Sequence, residues 1–65
     1  MIRITSKGLT ILETLENLSE SDIRLLGYIA NEKSAFEKNY VGLNYIGFSQ
    51  IQIQRLQELG YLREG

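Results

Sequence analysis

This chain has neither cysteine nor histidine, so no disulfide and no ordinary Cys/His zinc site can hold its 65 residues together. A chain this short lies near the lower size limit for a fold without such a staple. Its apolar fraction of 43% and charged fraction of 23% are typical of globular proteins and not of disordered ones. We therefore expect one domain over residues 1–65, with a compact apolar core that stands alone or is extended by a partner subunit.

The composition also narrows the classes of function. No apolar run approaches the ~18 residues of a membrane span, and the opening MIRITSKG is too short and polar for a signal peptide. We expect a soluble, cytoplasmic protein with no membrane partner. The carboxylates are scattered, and there is no histidine, cysteine or glycine-rich phosphate cradle. We therefore expect no enzymatic activity, no cofactor, no metal and no small-molecule substrate.

Four helices are predicted between two short strands. Residues 2–5 (IRIT) alternate apolar and polar side chains, and Tyr61–Arg63 is again short and extended. The first helix follows Thr5 or Ser6, and the others are expected over about 20–32, 35–45 and 50–59. The starts of these three are marked by a serine with an acid or glutamine three positions later, in the pairs Ser19 and Asp22, Ser34 and Glu37, and Ser49 and Gln52.

Helical spacing of apolar residues predicts which side chains point inward. The expected core residues are Leu9, Ile11, Leu12, Leu15 and Leu18, then Ile23, Leu26, Ile29 and Ala30, then Phe36, Tyr40, Val41 and Leu43, then Ile53, Leu56 and Leu59. The apolar stripe of the first helix is wide enough for part of it to be a dimer face. The tyrosines at 28, 40, 45 and 61 are expected to pack in the core or against the strands.

The segment GFSQIQIQR, residues 47–55, is the most informative. Gly47 permits a turn with positive φ, Ser49 caps a helix, and Ile53 points inward six positions after the glycine. This segment resembles the helix-turn-helix of many bacterial and archaeal regulators. The tail RLQELGYLREG resembles the point at which a winged helix passes from its recognition helix into the first wing strand.

A second phrase, IRITSKGLTIL, resembles the second wing strand and following helix of that family, but here it comes first. The order therefore looks circularly permuted. The resemblance implies a mostly α, small winged helix-turn-helix of about four helices, with the helix-turn-helix over about 35–59. Its short antiparallel sheet is formed by the N- and C-terminal strands, paired within one chain or between two subunits.

The resemblance implies a transcriptional regulator or accessory factor that binds double-stranded DNA as a homodimer, with helix 50–59 in the major groove. Glutamine can read adenine, arginine can read guanine or bind phosphate, and isoleucine can cover a thymine methyl group. The expected DNA-binding residues are Ser49, Gln50, Ile51, Gln54 and Arg55, with Lys33, Lys38 and Arg63 on phosphate or the minor groove.

Other interpretations of the same residues stay open. The glutamines can form an ordinary solvated helix face, and Arg55 can pair with Glu58 or Glu37. Lys33 and Lys38 can be ordinary surface lysines. The net charge of −1 gives no general attraction to DNA, although residues 33–65 hold four cationic side chains against three anionic ones. The alternative function is a winged-helix protein-interaction module without DNA binding.

Overall fold

The computed structural model describes residues 1–31 and 38–65. In this part of the chain, four helices lie between two terminal strands, which confirms the predicted mostly α class. The elements are β1 (Ile2–Ile4), α1 (Ser6–Thr14), α2 (Glu20–Ala30), α3 (Tyr40–Tyr45), α4 (Gln50–Glu58) and β2 (Leu62–Glu64). No helix among the described residues is long and apolar enough to cross a membrane.

The two terminal strands pair antiparallel within one chain, as one of the two predicted alternatives proposed. Arg3 lies opposite Arg63, and Ile4 lies opposite Leu62. Period-two alternation turns Ile2, Ile4 and Leu62 toward the helices and leaves the arginines exposed. The amide of Ile2 also donates to the carbonyl oxygen of Lys38 at 2.6 Å, which joins the segment before α3 to the sheet.

Each helix begins at a polar residue whose side-chain oxygen accepts from an amide of the first turn. These N-caps are Thr5, Ser19, Asn39 and Ser49. The expected third helix over 35–45 is wrong where it can be compared, because Lys38 and Asn39 are not helical and α3 begins at Tyr40. The predicted cap Ser34 with Glu37, and core residue Phe36, lie outside the described residues.

A glycine with positive φ follows the C-cap of both α3 and α4, and the turn predicted at Gly47 is confirmed. Gly47 has φ of +112° and Gly60 has φ of +84°. Each is followed by a residue whose amide reaches back to close the last turn: Phe48 donates to the Leu43 carbonyl at 3.0 Å, and Tyr61 donates to the Leu56 carbonyl at 2.9 Å. This six-to-one bond satisfies a carbonyl that the helix leaves unpaired, and it turns the chain sharply toward the next element.

The core lies where α2, α3 and α4 meet the strands. Its buried members are Ile2, Leu25, Leu26, Ile29, Leu43, Ile53, Leu56 and Leu62. Several inward predictions are wrong: Val41 is 79% exposed, Tyr45 83% and Leu59 47%. Leu59 fails because α4 ends one residue earlier and Leu59 is its C-cap.

The first helix packs differently from the predicted leucine stripe. Leu9 and Leu15 are exposed, while Ile11, Leu12 and Leu18 are only partly buried. The buried residue of α1 is Gly8. A Cβ at Gly8 would overlap the carbonyl oxygen of Tyr61 and crowd the Ile4 side chain at 2.7 Å. The N-terminal turn of α1 therefore lies directly against the chain entering β2.

Candidate nucleic-acid interface

Helix α4 has one face buried in the core and the opposite face in solvent. Ile53 and Leu56, three positions apart, are completely buried. Four of the residues predicted to contact DNA share the outward face: Gln50, Ile51, Gln54 and Arg55. Since successive residues are rotated by about 100° around a helix, Gln50, Ile51 and Gln54 fall within one continuous arc that Arg55 extends. These four predicted residues are thus brought together.

Four large apolar side chains between residues 41 and 51 are exposed. Ile51 is 77% exposed, and Val41 and Tyr45 lie one turn apart on α3. Ile46, in the turn between these two helices, is also exposed. Large exposed apolar side chains on one stretch of chain indicate a contact surface for another molecule more often than isolated ones do. We refer to Val41, Tyr45, Ile46 and Ile51 as the turn patch.

Ser49 caps α4, and this limits what its hydroxyl can do elsewhere. Its Oγ accepts from the amide of Gln52 at 3.1 Å, as predicted. In a full capping box the Gln52 side chain would also bond the backbone N–H of Ser49, but here it does not return to that residue. Its Nε2 instead donates across to Ser21 Oγ and Asp22 Oδ1, both at 2.9 Å. Gln52 therefore ties α4 to the first turn of α2.

The partner of Arg55 is also not one that the sequence suggested. Among the described residues its Nη2 donates to Asp22 and not to Glu58, at 3.0 Å from Oδ1 and 3.3 Å from Oδ2. Glu37 lies outside the described residues. Burial alone would raise the pKa of the Asp22 carboxyl group. Hydrogen bonds from Gln52 and Ser19, with the attraction of Arg55, outweigh burial and hold that pKa below its ordinary value. Asp22 is therefore a buried carboxylate, while the Arg55 side chain remains 55% exposed.

The remaining predicted DNA contacts do not lie on α4. Lys38 Nζ donates to the carbonyl oxygens of Ile29 at 2.7 Å and Asn31 at 2.9 Å, where it satisfies the end of α2. Arg63 is exposed on β2 beside Arg3. Lys38 and Arg63 both line an open cavity of about 340 Å³ at the strands. Lys33 lies outside the described residues.

Among the described residues, no cluster of acidic side chains is arranged to hold a metal ion. The sequence patterns did not predict that Asp22 contacts α4; they indicated it only as the partner of Ser19 at the start of α2. A signal was present, since Asp22 lies three and four positions before Leu25 and Leu26 and therefore falls on the buried stripe of α2. A buried acid on such a stripe requires a donor from a facing helix.

We compared the chain with known protein families, with curated proteins and with solved structures, and none of them matches it.

Proposed function

We propose that this chain binds double-stranded DNA by inserting α4 into the major groove, as a small cytoplasmic regulator or accessory factor of the winged-helix type. The main support for the proposal is that one face of α4 is buried in the core, while the opposite face is exposed and carries mostly polar side chains. Ile53 and Leu56 hold the helix, while Gln50, Gln54 and Arg55 project from it. A major groove admits one helix, and amide and guanidinium groups match the hydrogen-bonding edges of adenine and guanine.

The environment of α4 suits this role. The turn at Gly47 and the cap at Ser49 present the N-terminal end of the helix next to the short α3. Ile51, between the two outward glutamines, supplies an apolar contact of the kind that a thymine methyl group accepts. The terminal sheet carries Arg3 and Arg63 on its exposed face, where they can reach sugar-phosphate.

A single copy of this chain has few free positive charges with which to bind DNA phosphate. The net charge is −1, Arg55 is partly neutralised by Asp22, and Lys38 is bonded to carbonyl groups of α2. Since phosphate contacts dominate the affinity of DNA-binding proteins, one copy offers few of them. We therefore propose a homodimer on DNA, for which the exposed Leu9 and Leu15 of α1 are candidate contacts.

The turn patch favours a second candidate, a protein-interaction module without DNA binding. Tyr45 and Val41 are the most exposed of the large hydrophobic side chains described. Aromatic and aliphatic anchors of this kind dominate protein interfaces, whereas DNA-binding surfaces are polar and strongly basic.

Fluorescence anisotropy with a mixed-sequence duplex separates the two candidates. At ~50 mM salt we expect binding that weakens as salt rises, because counterions are released from DNA on binding. Arg55→Ala should lower the affinity and the salt slope by about one released ion. Arg24→Ala is the matched control, since it removes an exposed arginine two positions from Asp22 and therefore on the other side of α2. A flat titration with folded protein at tens of micromolar would instead support the interaction module.

A further inference from the structure

We infer that Asp22 is a positioning residue for DNA binding: it fixes the guanidinium group of Arg55 so that its remaining donors face outward from α4. The inference rests on the proposed function and adds to it a residue on a different helix. The proposed role of Asp22 concerns the conformation of the outward face in the DNA-free protein.

The bonding of Arg55 is one-sided. Only Nη2 contacts Asp22, through both carboxylate oxygens, and the side chain is still 55% exposed. A guanidinium group is planar and carries five N–H donors in a fixed fork. Because both bonds come from one nitrogen of this plane, they restrict the orientations open to its other donors. No other bond to the Arg55 side chain occurs within residues 1–31 and 38–65.

Asp22 is itself held firmly. Its backbone amide donates to Ser19 Oγ at 3.1 Å, and Oδ1 also accepts from Gln52 Nε2 at 2.9 Å. The residue is buried in the first turn of α2, so its carboxylate has little freedom to follow a moving arginine. Prior ordering of a long side chain lowers the entropy lost when that side chain meets its ligand.

A purely electrostatic effect of Asp22 would change the DNA affinity in the opposite direction. If the carboxylate only neutralised Arg55, its removal would strengthen DNA binding through the added positive charge. The matched control for that charge effect is Glu20→Gln, in the same turn of α2, where the side chain is exposed. Asp22→Asn and Glu20→Gln remove the same formal charge, but Asp22 lies 3.0 Å from Arg55. A charge effect alone would therefore make Asp22→Asn bind at least as tightly as Glu20→Gln, whereas loss of positioning would make it bind more weakly.

The experiment measures duplex affinity for wild type, Asp22→Asn, Glu20→Gln, Arg55→Ala and the double variant Asp22→Asn/Arg55→Ala. We expect Asp22→Asn to bind about fivefold more weakly than Glu20→Gln, as for the ordering of one long side chain. The double variant should bind no more weakly than Arg55→Ala alone, because Asp22 then has no arginine to orient. A purely structural role of Asp22 would weaken binding in both backgrounds.

Two further measurements keep the outcomes distinct. Arg55→Lys retains the charge but loses the planar fork, and it should reproduce the weakening if Asp22→Asn does not fold. NMR relaxation of the Arg55 Nε–H group in the free protein should report restricted motion in wild type and Glu20→Gln, but not in Asp22→Asn. Binding by Asp22→Asn as tight as by Glu20→Gln overturns the positioning role alone. Absence of wild-type binding to any duplex overturns the proposed function, and the role of Asp22 in it, even where Arg55 is ordered.

Discussion

Helices α1 and α4 have the same length of nine residues but are attached to the molecule in different ways. Helix α4 inserts Ile53 and Leu56 completely into the core, whereas the buried residue of α1 is a glycine. Side-chain insertion leaves the opposite side of α4 exposed, where Gln50 and Gln54 lie with Ile51. Close backbone approach holds α1 at its N-terminal turn and leaves Leu9 and Leu15 in solvent. Apolar periodicity therefore indicates which face of a helix can pack. A glycine such as Gly8 allows the backbone of a helix to approach its neighbour closely.

Truncating an isoleucine should change the free energy of unfolding far more on the buried face of α4 than on its exposed face. Ile53→Ala should lower the free energy of unfolding by about 3 kcal/mol, because it leaves a cavity in the core. Ile51→Ala makes the same chemical change on the exposed face and should stay within about 0.5 kcal/mol of wild type. Urea denaturation followed by circular dichroism measures both. Equal losses for the two variants would show that α4 has no outward face.

The attachment of α1 is tested at Gly8. Gly8→Ala should destabilise the fold by roughly 1–3 kcal/mol, because the new methyl group meets the backbone of Tyr61, which cannot yield as a flexible side chain can. Gly27→Ala is the matched control on α2, where a Cβ meets no atom within 4 Å. That control should stabilise the protein by up to about 1 kcal/mol, since alanine is the better helix former. Thermal unfolding of both variants is the measurement, and a stable Gly8→Ala protein would contradict the close approach.

A smaller effect is expected from the polar contacts that Gln52 and Arg55 of α4 make with Asp22. The pKa of this carboxyl group is lower in the folded protein than its ordinary value, so its contribution to stability is present above about pH 4. That contribution is lost as the pH falls through the lowered pKa of the folded state. Asp22→Asn should cost about 1 kcal/mol at pH 7, as for a hydrogen bond to a charged group.

The same variant should differ less from wild type in acid than at pH 7. Glu20→Gln is the control, because Glu20 is exposed. Unfolding free energies measured from pH 7 to about pH 3 test the sign of the effect. A gap between Asp22→Asn and wild type that widens in acid would contradict a lowered pKa.

Local patterns predicted much of this fold. Period 3.6 identified Ile29, Ile53 and Leu56 as buried, and the two turn glycines were found because positive φ favours glycine. Alternation in residues 2–5 identified the first strand, whereas its pairing with the C-terminal strand was implied by the resemblance and left open between one chain and two. Each of these signals lies within a few residues of chain, where spacing alone determines geometry.

The errors concern contacts between distant segments. The Asp22 contact with Arg55 joins residues 33 positions apart, and the burial of Gly8 depends on where Tyr61 passes. The start of α3 at Tyr40, after the Asn39 cap, was not predicted, because the third helix was expected to begin after Ser34. Of the candidate site, sequence patterns predicted the outward face of α4 but not the carboxylate that orients its arginine.

An amide NMR titration of the whole chain with a short duplex at low salt tests directly whether α4 binds DNA. We expect the largest shift changes at residues 49–55 of the cap and α4, with smaller ones at Arg3 and Arg63. Resonances of α1 should move little unless a dimer forms. Changes confined to Val41 and Tyr45, or absent from α4 altogether, would contradict a DNA-reading role for this helix.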